Sequence, residues 1–321
     1  MPSNPAVDSS KPLIIVGGGP AGSAAAITAR LAGQPVLLVE KTRFPRQKVC
    51  GEFLSPEAQP LLARMGVFFP EAAAIRRVSL HLRRAEKRFS LAEPALGISR
   101  YAMDHRMLER AVALGTLVQP ETDLPAAIVA TGRRASQPKG QRLFGFKAHF
   151  AGPANDAVEL YFFGGGYVGV NPVEGGRTNV CGLLPESLLS PLGFEIDAAV
   201  DQFQPLRERL APLSRVFDWL KVGPLVFGPQ TATSTARRAG DALQFVDPFT
   251  GSGMLAAIET GVLAAEAPEA EYLKRVRAIL TQPYYVASLM RSALSATWVD
   301  RLLPLVPGKL MYQLTRPKKI R

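Results

Sequence analysis

Residues 13–40, LIIVGGGPAGSAAAITARLAGQPVLLVE, constrain the fold more than any other stretch of this chain. Leu13–Val16 is a short apolar run of the kind a parallel sheet buries, and Gly17, Gly19 and Gly22 stand at G-x-G-x-x-G spacing where it ends. In such a turn the first glycine permits the bend, the second lets a pyrophosphate approach the backbone, and the third lets the helix pack on the strand. Pro20 and Ala21 lead into an alanine-rich segment that reads as a helix to Leu31, whose free N–H groups and dipole favour phosphate charge. Gly33 stops that helix, and Val36–Val39 reads as a second strand. Glu40, with Lys41 beside it, follows Gly17 at close to the roughly 20 positions expected of an acid that binds a ribose hydroxyl. An ordinary strand-to-helix turn needs neither this spacing nor the terminal acid, so the segment predicts a dinucleotide site.

At 321 residues the chain has the length for about two domains and a substantial core. Met1–Lys11 is polar, and nothing approaches the ~20 apolar residues of a membrane span, which predicts a cytoplasmic protein. Cys50 and Cys181 are too few for a disulfide framework, and they and the scattered His81, His105 and His149 offer no metal-ligand spacing. The net charge of +11 admits nucleic acid or an anionic membrane surface as a partner. Many basic residues stand singly or in pairs such as Arg83–Arg84 and Arg237–Arg238, without a recognition motif or aromatic platform, which argues against nucleic acid. The tail RPKKIR (316–321) follows an apolar, proline-broken segment and leaves peripheral membrane contact open. The sequence sets no oligomeric state.

Three further stretches carry chemistry. GDALQFVDPFTGSGMLAAIETG (240–261) resembles the C-terminal flavin signature of the para-hydroxybenzoate hydroxylase-like flavoproteins, which include aromatic hydroxylases, flavin halogenases and geranylgeranyl reductases. The resemblance implies FAD as cofactor, with Asp241 on the ribityl chain and Gly251, Gly253 and Met254 at a helix N-terminus beside the flavin pyrimidine edge. Physical chemistry agrees, because reduced flavin gathers negative charge there and N–H groups at a helix start stabilise anions. FPRQKVCGEFLSP (44–56) resembles the K-x-C-G motif of geranylgeranyl reductase-like members. That likeness implies Arg46 and Lys48 near phosphate or ribityl oxygens, and Cys50 close to the isoalloxazine ring as the candidate catalytic acid. GISRYAMD (97–104) similarly resembles a segment whose arginine, here Arg100, reaches the cofactor. The bland alternatives are exposed basic residues at 46 and 48, and a small buried hydrophobe at Cys50.

The pattern along the chain alternates between α/β and β-rich character. A two-stranded excursion is expected over 76–94, a helix over 100–115, a buried strand at AAIVATG (126–132), and strands at Leu143–Phe150, Val158–Phe163, Tyr167–Val173 and Asn179–Leu184. A helix over 195–211, a strand over Leu225–Ser234 and helices over 255–267 and 270–314, with stops near Pro268, Pro283, Pro304 and Pro307, complete the reading. The expected fold is α/β: a glutathione reductase-like Rossmann FAD domain (1–75, 95–140, 235–275), an inserted β-sheet substrate domain (76–94, 141–234) and a helical C-terminal region (276–321). Phe144, Phe146, Phe150, Tyr161, Phe163 and Tyr167 are candidates to wall an apolar pocket, or else to pack the sheet's own core.

The resemblance implies an FAD-dependent oxidoreductase acting on a hydrophobic small molecule, aromatic, polyketide-like or isoprenoid. Two chemistries stand open: monooxygenation after reduction by NADPH or NADH, and hydride transfer from reduced flavin to an alkene. A third reading is a flavin-binding protein that has lost turnover. Two departures from the family bear on it. Ala130-Thr131-Gly132 stands where many hydroxylases carry an Asp-Gly pair, and the segment 115–130 is shorter than in relatives.

Overall fold

The computed structural model describes residues 11–133, 142–225, 228–229, 236–245, 250–294, 305–314 and 316. Leu13–Val16 and Val36–Val39 pair in parallel, as their continuous apolar runs require, with the helix Pro20–Leu31 crossing between them. Strands Leu117–Gln119, Ile128–Val129 and Arg237–Arg238 extend this into a five-stranded, wholly parallel sheet. The Pro20–Leu31 helix is buried along ten of its residues, from Pro20 to Ala29, between the sheet and the helix Gly253–Glu266. Its small side chains allow that close stacking. Helix Arg100–Ala113 packs on its other side through Met103, Met107 and Ala111, four residues apart on one face.

A second sheet follows a different rule. Its path runs Ser214–Arg215, Leu143–Ala151, Arg177–Pro185, Gly166–Val173, Ala157–Phe163, Ala73–His81, Glu86–Gly97 and Phe53–Leu54, with Leu220–Leu225 also paired to Leu143–Ala151. All its pairings are antiparallel except Ala73–His81 beside Ala157–Phe163. The register fixes its two faces. Lys147 lies opposite Cys181, which lies opposite Gly169, and His149 lies opposite Asn179, which lies opposite Asn171. Phe146, Ala148, Phe150, Val168, Val170 and Val180 therefore share the other face, where Leu189, Ile196, Ala199, Val200 and Leu206 from short helices cover them.

Most of the expected elements form. The helix expected over 195–211 is two, Ile196–Asp201 and Gln204–Leu210, because Phe203 is extended and Pro205 belongs in a first turn rather than an interior. A strand ends at Leu225, where one was expected to begin; of the remainder, Gly228–Pro229 forms a short strand and 226–227 and 230–234 lie outside the described residues. The helix Glu269–Leu294 runs through Pro283 instead of stopping there.

Candidate active site

The glycine turn forms as its spacing predicts. Gly17 has φ +106°, and a Cβ at Gly22 would stand 1.7 Å from the Gly17 carbonyl oxygen, so the helix starts this close to the strand only with glycine. Pro20 and Ala21 occupy the first buried turn. At the end of the second strand Glu40 turns back: its carboxylate accepts from the Gly18 amide at 2.8 Å and from the Thr42 amide and hydroxyl. Burial pushes its pKa up, but those hydrogen bonds and Lys48 overcome this and hold it below the usual carboxylate range. Lys41 is exposed just beyond.

Two cations reach the same turn from elsewhere. A Cβ on Gly19 would lie 3.8 Å from Arg100 Nη2 and 3.9 Å from Lys48 Nζ, which leaves an open cradle lined by positive charge. Both are aimed by Asp104, fully buried, which accepts from Arg100 Nε at 2.6 Å and Nη2 at 2.8 Å, and from Lys48 Nζ at 2.6 Å. Burial disfavours the Asp104 carboxylate, yet Arg100 and Lys48 together lower its pKa. This cradle suits a pyrophosphate, and the residues present fit a dinucleotide. Asp104 was within the quoted segment but its role escaped the sequence; its place four residues after Arg100 on a helix was the available signal. Arg46 stays exposed, its guanidinium 5.8 Å from the Phe44 ring centroid.

The second signature closes on the first. Asp241 sits in a short turn whose Gly240 amide donates to Thr260 Oγ1, and among the described residues no donor reaches its carboxylate. Burial raises its pKa to about 6 against the pull of Arg100 and Arg133. A half-buried carboxyl without a donor among the described residues fits a polar ligand group such as a ribityl hydroxyl. Gly251, Ser252, Gly253 and Met254 lead into the helix Gly253–Glu266, and a Cβ on Gly253 would meet nothing within 4 Å, so the approach to that helix start is open. Asp247, Pro248 and Phe249 lie outside the described residues.

The K-x-C-G loop is gripped from both sides. Glu52, fully buried with φ +54°, accepts from Lys147 Nζ, from the Arg100 amide at 2.7 Å, and shares a 2.7 Å hydrogen bond with His149 Nε2. These three directional contacts hold a left-handed residue whose backbone costs roughly 1–2 kcal/mol. Lys147 also donates to Gln47 Oε1 at 2.7 Å, and Asn179 Nδ2 donates to the carbonyls of Cys50 and Gly51 at 3.2 and 3.0 Å. The Cys50 thiol packs on the nucleotide-side core, accepts weakly from the Glu52 amide at 3.5 Å and faces the Arg100 guanidinium. Burial pushes its pKa up, so it keeps its proton.

Beside this loop lies an apolar cavity partly open to solvent. Val78, Leu80, Phe89, Leu160, Phe162 and Tyr167 wall it from the sheet, Met311, Tyr312 and Arg316 cover it, and it ends at Gly51, Thr250, Gly251 and Cys181. Cys50 is not among its walls; Cys181, which the sequence left without a role, is. Of the six aromatics read as lining a pocket or packing the sheet's own core, Tyr167 lines the cavity. Phe146, Phe150, Tyr161 and Phe163 belong to the opposite face, and Phe144 packs against it, because side chains alternate along each strand. Arg316 is buried, not part of a solvated tail: it donates to the carbonyls of Thr250 and Gly251, and its guanidinium lies 4.3 Å from the Tyr312 ring centroid.

The family profile described as FAD dependent oxidoreductase matches residues 12–45. The menaquinone reductase of Mycobacterium tuberculosis is 29% identical over 84% of this chain and 79% of its own length. The digeranylgeranylglycerophospholipid reductase of Methanosarcina mazei is 25% identical over 79% of this chain and 74% of its own. Among solved structures, a mutant flavin-dependent brominase superposes with TM-score 0.79 at 19% identity, covering 94% of this chain and 93% of that one. A geranylgeranyl bacteriochlorophyll reductase-like protein from Thermoplasma acidophilum gives TM-score 0.73 at 18% identity, covering 95% and 91%.

Proposed function

We propose that this chain, an FAD-dependent oxidoreductase of the family that includes geranylgeranyl reductase-like members, reduces an alkene in an isoprenoid-type substrate. The observation that carries this reading is the apolar cavity that ends at Gly51, Gly251 and Cys181, Gly51 belonging to the loop whose Lys48 reaches the glycine turn. FAD, when bound, would supply the hydride. The glycine turn with Lys48, Arg100 and Asp104 would hold its pyrophosphate, Glu40 its ribose, and Asp241 its ribityl chain. The relatives named for menaquinone and digeranylgeranylglycerophospholipid support an isoprenoid substrate here.

The remaining work falls to this chain's own side chains. The cavity walls desolvate the alkene and exclude water from it. Cys50, half-buried and with its pKa raised by its surroundings, is our candidate for the proton that must accompany hydride; Cys181, on the cavity wall, is the alternative donor. Thr131 offers no carboxylate for nicotinamide handling, so NADPH or NADH is proposed only as an external reductant. Nothing supports the reading in which turnover has been lost. We divide the chain into a nucleotide domain, an inserted substrate sheet and a helical C-terminal region, with the sheet reaching past the expected 76–94 to take in Phe53–Leu54, Ala73–His81 and Glu86–Gly97.

Among the described residues no helix is long and apolar enough to cross a membrane. We read the cavity's cover as a point of peripheral membrane contact. Leu305, Leu310 and Leu314 are exposed by 76, 46 and 40%, and Val306 and Met311 of the same segment pack with Leu82, next to exposed Arg83 and Arg84. The decisive experiment incubates holoenzyme anaerobically with a chemical reductant and a geranylgeranyl lipid. A product heavier by two hydrogens per reduced double bond is expected. Oxygen-dependent hydroxylation of the same lipid, without anaerobic reduction, would replace the hydride reading by monooxygenation.

A further inference from the structure

We propose that Lys147 and His149 are positioning residues for the redox site: acting through Glu52, they hold the left-handed turn that fixes the Cys50–Gly51 peptide between the glycine turn and the cavity. The proposal rests on the FAD reading for its chemical meaning, while the turn itself is a property of the apoprotein.

Glu52 is one of two non-glycine residues with positive φ among the described residues, and its carboxylate is the acceptor shared by both halves of the molecule. From the sheet come Lys147 and His149, alternate residues of one strand and so on one face. From the nucleotide side comes the Arg100 amide, at the start of the helix whose Arg100 and Asp104 side chains line the cradle at Gly19. A buried ion pair adds little net stability over an apolar pair of the same size, but its hydrogen bonds are directional. Here the direction matters on both flanks. Gly51, just before Glu52, lines the cavity and its carbonyl is held by Asn179. Phe53, just after it, lies under the flavin signature, since a Cβ on Gly251 would be 2.8 Å from the Phe53 ring. Relaxing Glu52 to an extended conformation would move both contacts together.

Two double variants test this, each removing the orphaned lysine charge. Glu52→Gly with Lys147→Met supplies the left-handed conformation without the cluster, whereas Glu52→Ala with Lys147→Met removes the cluster and keeps the strain. The glycine double is expected to match wild type in apoprotein urea unfolding and in the visible spectrum of added FAD. The alanine double is expected to unfold about tenfold more readily and to bind FAD with a shifted spectrum. His149→Gln, which retains an N–H donor, is expected to keep the wild-type spectrum that His149→Leu loses. Identical behaviour of the two doubles, failure of the glycine double to fold, or an unperturbed His149→Leu each overturns the proposal. If the wild type itself takes up no FAD, the functional reading fails, and the apoprotein unfolding comparison still decides this one.

Discussion

At the scale of single residues, the site's carboxyl groups and thiols make separable predictions. Asp241, half-buried and without a donor among the described residues, should be a ligand contact. Asp241→Ala is expected to weaken FAD retention by about 1–3 kcal/mol in an absorbance titration, the range of one charge-assisted hydrogen bond; an unchanged dissociation constant removes it from the site. The two cysteines divide on position. If Cys50 donates the proton, Cys50→Ser should slow single-turnover oxidation of reduced enzyme by substrate by about 10²-fold or more with FAD affinity intact, while Cys181→Ser has little effect. The reverse pattern assigns the proton to the cavity wall. Glu259 gives a pH prediction: burial first, then the neighbouring Glu57, raises its pKa to about 7, and among the described residues its Oε2 has no hydrogen-bond partner. The folded state thus binds the extra proton between the unfolded value near 4.5 and 7, so stability falls as pH rises through that window. Glu259→Gln should be more stable than wild type at pH 8 by about 2–3 kcal/mol, and no more stable at pH 4, by urea unfolding at both values.

At the scale of elements, the nucleotide half depends on how closely two helices stack. Pro20–Leu31 and Gly253–Glu266 meet where a Cβ on Gly261 would lie 2.2 Å from the Ala21 carbonyl oxygen, and backbone cannot swing aside as a side-chain end can. Gly261→Ala should therefore destabilise the fold by about 1–3 kcal/mol or more. Because Ala21 lies in the glycine turn proposed to hold FAD, FAD affinity should fall with it. A calorimetric melt unchanged from wild type would show that the helices have room to part. The same small-residue logic is written in the alanine-rich stretch 21–29, while its pairing with Gly253–Glu266 follows from the tertiary packing.

At the scale of the whole molecule, the proposed apolar substrate has to reach a cavity covered by Met311, Tyr312 and Arg316. The exposed Leu310 and Leu314, with Arg83, Arg84 and Lys309 also exposed, suit an anionic lipid surface. The protein is expected to sediment with phosphatidylglycerol vesicles at low salt and much less at high salt, where charge attraction is screened. Leu310→Ser combined with Leu314→Ser should reduce sedimentation while FAD binding stays intact. Equal recovery of both proteins from the vesicle pellet would dismiss this surface as the docking face.

The sequence by itself determined the nucleotide half. Strand, glycine turn, helix and acid are contiguous in 13–40, and their chemistry depends on local spacing, so Gly17, Gly22 and Glu40 fall where their order requires. It also determined that a strand-rich sheet follows, since runs such as ELYFFGGGYVGV (159–170) admit little else. Which face of that sheet meets the cavity was legible in principle, because Lys147 and His149 alternate with Phe146, Ala148 and Phe150, yet aromatic content pointed the other way. Only the tertiary structure decided the contacts between residues far apart in the chain. Glu52 meets Lys147 across 95 positions, and Arg316 reaches the Thr250 carbonyl across 66. Such pairings follow from where each element comes to rest in the packed molecule, and no local pattern of hydrophobicity or propensity encodes them.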